Sequence, residues 1–138
     1  MQPPDAARQN LVSQWLEKAD RDYEAAEHLI AQAGRFREVV AFHCQQSVEK
    51  YLKAYLVWRQ IEFPKTHDIR KLLILAAAVQ QGLFDSLADA DILTPFGVEL
   101  RYPGEAPEVL PGEEETAFDI ARRARTIVRS ALSNLEAD

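Results

Sequence analysis

The sequence predicts an all-α protein that folds as an up-and-down antiparallel bundle of four to five helices. Long stretches free of Pro and Gly carry apolar residues at three- and four-residue steps, which is helical periodicity. Alternating runs rich in Val, Ile and Thr, which would indicate strands, do not occur at useful length. A chain of 138 residues has the length of one domain, so we expect a single helical domain over residues 1–138.

The composition excludes several classes of protein. With 47% hydrophobic and 28% charged residues, the chain has the composition of an ordinary globular protein. Its net charge of −6 argues against a protein that coats nucleic acid non-specifically. No apolar run approaches the roughly 18–20 residues that span a bilayer, and no secretory signal is recognisable. The single cysteine, Cys44, fits a reducing compartment. We therefore expect a cytoplasmic protein without a membrane segment.

The first predicted helix covers about residues 7–33. Gly34 can take the left-handed conformation that ends it. Its expected buried stripe consists of Leu11, Trp15, Ala19, Ala26, Leu29 and Ile30. The residues expected to face water are Lys18, Asp20, Arg21, Glu24 and Glu27.

The second predicted helix, about residues 36–60, is expected to lie at the centre. Its apolar arc is wide enough to contact several neighbours and holds Val40, Ala41, Cys44, Val48, Tyr51, Leu52, Tyr55, Leu56 and Trp58. Gln45 falls inside this arc and needs a hydrogen-bond partner if it is buried. Cys44 is expected to be a buried, inert thiol rather than a nucleophile.

The rest of the chain divides at Pro64. Thr66, His67 and Asp68 supply starting residues for a third helix that runs to about residue 81. A shorter fourth helix covers about residues 86–93, with an extension to Val98 left open. Residues 101–113, rich in Pro and Gly, form a loop before a last helix over about residues 113–135.

The second helix carries a polar arc opposite its apolar one, formed by His43, Gln46, Ser47, Glu49, Lys50 and Lys53. One interpretation is a solvated face with a Glu49–Lys53 pair worth a few tenths of a kcal/mol. The other is a polar contact surface or a phosphate-binding cleft, because neutral and cationic hydrogen-bond donors dominate the arc. Both interpretations are compatible with the spacing.

Two arginine positions are further candidates. Arg101, followed by Tyr102 and a rigid Pro-Gly turn, either projects its guanidinium into a cleft or pairs with a nearby glutamate. On the last helix, three arginines form either a solvated basic edge or an edge that faces an anion or RNA: Arg122, Arg125 and Arg129.

We expect no metal site and no cofactor. The three histidines, His28, His43 and His67, lie in three different elements and none belongs to an HxxxH or HExxH pair. No glycine-rich loop follows a strand, so a dinucleotide or Walker-type phosphate site is not predicted.

Four blocks of the sequence resemble the HEPN domain family in order and spacing. They are residues 15–27 (WLEKADRDYEAAE), 41–54 (AFHCQQSVEKYLKA), 64–69 (PKTHDI) and 101–103 (RYP), and the similarity covers about residues 10–135. The resemblance implies a helical bundle of bacterial or archaeal origin that commonly forms homodimers. It also implies frequent partnership with a minimal nucleotidyltransferase, often as a toxin–antitoxin pair.

Many members of this family are metal-independent ribonucleases that use an Arg followed, after four to six residues, by a His near the start of the last helix. This chain departs from that motif, since the positions at that spacing after Arg101 are Ala106, Pro107 and Glu108. Arg37 and His43 satisfy the spacing but lie at the start of the second helix.

We therefore expect a HEPN-like module without catalytic activity. It would bind a nucleotidyltransferase partner, a nucleotide or RNA through a polar cleft formed by His43, Gln46, Ser47, Lys50, Arg101 and Tyr102. The alternative is a metal-independent ribonuclease that uses Arg101 with His43 or His67. We also expect a homodimer of C2 symmetry, because a small bundle would not readily hide four aromatic residues: Trp15, Tyr51, Tyr55 and Trp58.

Overall fold

The computed structural model describes residues 4–97 and 108–136. Within these ranges all regular structure is helical, in the order α1 (Pro4–Ile30), α2 (Arg37–Trp58), α3 (Ile69–Val79), two 3₁₀ helices (Asp85–Leu87 and Ala90–Gly97) and α4 (Glu113–Glu136). α2 packs against α1, α3, α4 and the second 3₁₀ helix. The predicted all-α bundle is confirmed, and α2 is its central element. None of the described helices is long and apolar enough to cross a membrane.

The turn between α1 and α2 depends on left-handed backbone. Ala33 and Gly34 have φ values of 55° and 81°, and α2 begins three residues after Gly34. A Cβ on Gly34 would lie 2.4 Å from the Arg37 guanidinium, so glycine suits both the backbone conformation and the close approach. α1 ends at Ile30, three residues before the predicted end, so the left-handed Gly34 shapes the turn and does not directly follow the helix.

α3 begins where the sequence predicts. The Asp68 carboxylate accepts a hydrogen bond from the backbone N–H of Arg70 at 3.0 Å, which satisfies one of the free donors of the first turn. The hydroxyl of Thr66 accepts from the N–H of Asp68 at 3.0 Å. The helix ends at Val79, slightly earlier than expected, because Gln80 is extended.

The predicted fourth α-helix is wrong. Two 3₁₀ helices take its place, and the second of them contains Pro95. Proline has no N–H to donate and clashes with the carbonyl four residues before it, so a regular α-helix does not pass through Pro95. Helical structure continues beyond residue 93 to Gly97, whereas Val98 and residues 101–107 of the predicted loop lie outside the described residues.

The core surrounds α2. Within α1, Ala19 and Ala26 are buried as predicted, but Leu11 is 45% exposed and Val12 is buried in its place. Tyr23 is buried as well, whereas Trp15, Leu29 and Ile30 are only half-buried. The largest fully buried side chains of α2 are Tyr51, Leu52, Tyr55 and Leu56.

One bundle covers much of the aromatic surface that led us to expect a dimer. Tyr51 and Tyr55 are fully buried, and their hydroxyls hydrogen-bond to Asp20 and Gln80. Trp15 and Trp58 are half-buried. Cationic side chains lie over both indoles, Lys53 over Trp15 and Arg8 over Trp58. The premise that one bundle leaves this aromatic surface open is therefore wrong.

Candidate functional site

The polar residues of α2 do not form one open face. Ser47, Glu49 and Lys53 are buried, whereas His43, Gln46 and Lys50 are half-buried. The expectation of a continuous solvated face is therefore wrong. The polar groups belong to two clusters, which we call the α1-facing cluster (Asp22, His43, Lys50) and the buried cluster (Gln45, Glu49, Lys53, His67).

The α1-facing cluster centres on Asp22. Its two carboxylate oxygens contact His43 Nδ1 at 2.9 Å and Lys50 Nζ at 2.5 Å. His43 and Lys50 are seven residues apart, two helical turns, so α2 presents them on the same side. Burial raises the pKa of Asp22, but hydrogen bonds and charges from His43 and Lys50 outweigh it and leave the pKa below its usual value. Asp22 is thus an ionised anchor for both side chains.

The bond to Asp22 determines what His43 offers to a ligand. When Nδ1–H donates to the carboxylate, Nε2 of the neutral imidazole is an acceptor, and on protonation it becomes a donor. Lys50 uses one of its three N–H donors on Asp22. The cluster therefore retains polar atoms for a ligand although the charge of Lys50 is compensated.

The buried cluster centres on Glu49, whose side chain is only 3% exposed. One carboxylate oxygen accepts from Lys53 Nζ at 3.0 Å, and the other contacts His67 Nδ1 at 2.8 Å and Gln45 Nε2 at 3.2 Å. In the solvated-face interpretation Glu49 and Lys53 form a surface pair. In the structure they form a buried ion pair with further hydrogen bonds. His67 lies at the solvent-exposed side of the cluster, and 73% of its side chain is exposed.

Gln45 has the partners that its predicted burial requires. It is fully buried, donates to the His67 carbonyl at 3.1 Å and accepts from Gln46 Nε2 at 2.7 Å. The chain passes close by at Gly97, where a Cβ would lie 2.7 Å from the Gln45 amide. The second 3₁₀ helix therefore packs directly on this amide.

Ser47 and Cys44 are internal. The Ser47 hydroxyl donates to the Cys44 carbonyl at 2.9 Å, and both residues are fully buried. Ser47 is therefore not part of an open binding cleft, contrary to the prediction, because its hydroxyl serves the helix backbone. Burial raises the pKa of the Cys44 thiol to about 12, which confirms an inert thiol.

The arginines of α4 are paired. Arg129 donates to the Asp20 carboxylate, and Arg125 Nε lies 3.7 Å from it. Arg122 pairs with Asp119. The sequence predicts that Asp20 faces water. Its side chain instead extends from α1 to α4, where it compensates the charges of Arg125 and Arg129. The basic edge is therefore a set of interhelical and local ion pairs rather than an open anion-binding strip.

The predicted site residues are only partly brought together. His43, Gln46 and Lys50 share an edge of α2, whereas His67 belongs to the buried cluster. Arg101 and Tyr102 lie outside the described residues.

Arg37 does not act with His43. It pairs with Glu114 of α4 at 2.8 Å, so the Arg37–His43 spacing does not assemble a site. Among residues 4–97 and 108–136, no group of three or more His, Cys, Asp or Glu side chains is placed to hold a metal ion.

Asp22 is a member of the α1-facing cluster that the sequence did not lead us to expect. The available signal was the presence of two cationic or protonatable residues of α2, His43 and Lys50, at a spacing of two turns. Such a pair needs a carboxylate partner if it is half-buried, and the neighbouring helix α1 is rich in acids.

The comparison with known proteins gives one family. The family described as HEPN domain matches residues 12–135, from the first turns of α1 to the last turn of α4. No curated protein and no solved structure shows a significant match to the chain.

Proposed function

This chain belongs to the HEPN domain family, and we propose that it is a non-catalytic member that binds a nucleotide or RNA at the α2 edge, defined as His43, Gln46 and Lys50. The observation that carries the proposal is the α1-facing cluster, in which Asp22 holds His43 and Lys50 side by side at a half-buried position. A minimal nucleotidyltransferase is the protein partner we propose, and the cytoplasm the location.

The α2 edge has suitable chemistry for a phosphate group. Lys50 has two N–H donors beyond the one it gives to Asp22, and Gln46 has one beyond the one it gives to Gln45. Partial burial strengthens such charge-assisted bonds, because water competes with them less. In this proposal Arg101 adds a second cation and Tyr102 a ring on which a base stacks.

The absence of catalysis is supported by how the two histidines are held. Cleavage of RNA without a metal ion needs an acid–base group together with a cation that stabilises the charge on the scissile phosphate. His43 and His67 lie in separate clusters, each bound to a carboxylate that a lysine also contacts. Among the described residues, no arginine forms a hydrogen bond or ion pair with either histidine.

A specific observation favours the alternative, a metal-independent ribonuclease and toxin. When Nδ1–H of His43 donates to Asp22, Nε2 of the neutral imidazole is an acceptor, which is what a general base requires. His67 is held by Glu49 in the same way. In this alternative Arg101 acts with one of these histidines and holds the scissile phosphate.

Binding is tested by fluorescence anisotropy with a labelled RNA oligonucleotide and with a labelled ATP. Lys50→Ala and Arg101→Ala should each weaken binding about ten- to hundredfold, the expected loss of a charge-assisted contact. Arg21→Ala is the matched control. It also removes one cationic side chain, and Arg21 is adjacent to Asp22 in the sequence but is exposed. Equal losses in Lys50→Ala and Arg21→Ala would show general charge attraction and contradict the proposed edge.

Catalysis is tested by incubating the purified protein with RNA in the presence of a chelator. We expect no cleavage above a control without protein. Cleavage that disappears in Arg101→Ala and in His43→Ala or His67→Ala would make the ribonuclease the correct function. Cleavage that survives all three substitutions would come from a contaminating nuclease.

A further inference from the structure

Phe42 differs from the other aromatic residues that the structure describes. Every other phenylalanine, tyrosine and tryptophan within residues 4–97 and 108–136 belongs to the core cluster or packs against it. Phe42 is half-buried and does neither. The packing of the bundle therefore does not account for an aromatic ring at this position, and part of the ring is available to a ligand.

Phe42 lies beside the α2 edge. At about 100° per residue, Gln46 and Lys50 project between Phe42 and His43 around the helix axis. The phenyl ring lies 5.4 Å from the His43 imidazole, measured between ring centroids, and the two planes are inclined at 74°. This contact occupies at most one face of the phenyl ring. Phe42 and the α2 edge therefore form one surface on which an aromatic ring adjoins hydrogen-bond donors.

The cation of the α2 edge lies close to this ring. Lys50 Nζ and His43 Nδ1 contact the two oxygens of the Asp22 carboxylate, at 2.5 and 2.9 Å. The ammonium group is thus held near the imidazole, although the Cα of Lys50 is two turns further along α2. A ligand that binds Lys50 through a phosphate therefore has the Phe42 ring within reach of the group that the phosphate carries.

We propose that Phe42 is the base-binding residue of this surface, and that it stacks with the unpaired base of a nucleotide whose phosphate binds Lys50 and Gln46. This inference rests on the proposed function and specifies its ligand. Stacking needs a base with a free face, which a free nucleotide or single-stranded RNA offers and a duplex does not. Because a phenyl ring donates no hydrogen bond, the contact accepts any of the four bases.

The surroundings of Phe42 favour a nucleotide over a protein partner. Val39 is the only large hydrophobic side chain of α2 that is exposed, at 41%. The other neighbours of Phe42 on this surface are polar: His43, Gln46 and Lys50. The centre of a protein interface is a contiguous apolar patch with few charged residues. A single ring next to a cation is instead the combination that binds single-stranded nucleic acid.

Isothermal titration calorimetry with a single-stranded RNA oligonucleotide, ATP and inorganic tripolyphosphate tests the proposal. Phe42→Leu keeps an apolar side chain but removes the flat ring, so it should weaken binding of RNA and ATP about tenfold and change that of tripolyphosphate by less than about twofold. Lys50→Ala should weaken all three, because each uses the phosphate contact. Ile74→Ala, which truncates a 59% exposed side chain of α3, is the control and should change none. Circular dichroism checks that each variant is folded.

Phe42→Trp provides a second readout that loss of packing does not imitate. An indole keeps the flat ring, so this variant should bind ATP and RNA at least as tightly as wild type. A base that stacks on the indole should quench its fluorescence, whereas tripolyphosphate should not. The emission of Trp15 and Trp58 is measured in the same titration of wild type and subtracted.

The outcomes separate this inference from the proposed function. If Lys50→Ala weakens binding but Phe42→Leu binds ATP and RNA as wild type does, the α2 edge stands and the role of Phe42 is refuted. An equal loss for tripolyphosphate in Phe42→Leu, or no quenching by ATP in Phe42→Trp, also refutes it. So does a change of mass in light scattering of Phe42→Leu, which would assign the ring to a protein contact. A wild type that binds none of the three ligands overturns the proposed function and this inference together.

Discussion

Replacing Lys53 with methionine tests whether the buried cluster stabilises the bundle. Lys53 Nζ lies 3.0 Å from the Glu49 carboxylate, and the two side chains are only 8% and 3% exposed. The lysine also lies over the rings of Trp15 and Phe63, at 5.4 and 5.8 Å from their centroids. Methionine has a similar length and is apolar, so packing against these rings changes little. The substitution mainly removes the charge that compensates Glu49.

The expected loss of stability follows from the burial of this pair. Removing one partner of a buried ion pair typically costs about 3–5 kcal/mol, because the other charge is left uncompensated. Glu49 retains His67 Nδ1 at 2.8 Å and Gln45 Nε2 at 3.2 Å, so we expect the lower end, about 3 kcal/mol. For a domain of this size each kcal/mol moves the melting temperature by about 3–5 °C, which gives a decrease of about 10–15 °C.

Thermal and urea unfolding followed by circular dichroism measure this effect. The double variant Glu49→Gln/Lys53→Met should recover at least half of the loss, since it leaves no uncompensated buried charge. Lys18→Met, at an exposed lysine of α1, is the control and should change stability by less than about 0.5 kcal/mol. A loss below about 1 kcal/mol in Lys53→Met, or a double variant as unstable as the single one, would refute the reasoning.

Three further predictions concern the core, a close backbone contact and acid stability. Leu52→Asp or Val48→Asp should abolish cooperative thermal unfolding, because each places an unpaired carboxylate at a fully buried position; a wild-type melting temperature would contradict this. Gly97→Ala should lower the free energy of unfolding in urea by about 1–3 kcal/mol, since its Cβ would lie 2.7 Å from the hydrogen-bonded amide of Gln45; unchanged stability would show that the amide moves freely. The folded-state pKa of Asp22 is lowered, so its contribution is complete above the unfolded-state pKa of about 3.9 and is lost as the pH falls through the folded-state value. Urea midpoints from about pH 5 to pH 2 should therefore fall more steeply for wild type than for Asp22→Asn, and parallel curves would contradict the lowered pKa.

The α-helices were predictable because their signals are local. Periodic apolar residues set the course of α2, and the Asp68 side chain set the start of α3. The fourth helix failed because apolar spacing over residues 86–93 was given more weight than Pro95 just beyond it. The exchange of Leu11 for Val12 in the core has a similar origin, since adjacent apolar residues satisfy the helical period nearly equally well.

The candidate site was less predictable because its geometry is not local. A helical projection gives the angle of His43 or Glu49 on α2 but not what packs against that angle. Asp22 and His67, which complete the two clusters, come from positions 21 residues before His43 and 18 residues after Glu49. The sequence therefore predicts that the polar arc of α2 faces solvent or a ligand, whereas much of it contacts polar groups of neighbouring elements. The contributions of Arg101 and Tyr102 stay predictions.

The central position of α2 has a consequence for the order of events during synthesis. α1 and α2 are joined by a short turn, so this hairpin is complete as soon as α2 has left the ribosome, whereas α4 is made after the other described helices. Until α4 arrives, the face of α2 that packs against it has no cover, and Asp20 lacks Arg125 and Arg129. A nascent chain that stalls before α4 would therefore display apolar surface, which is what chaperones bind. We expect the newly made chain to depend on such protection until α4 is released.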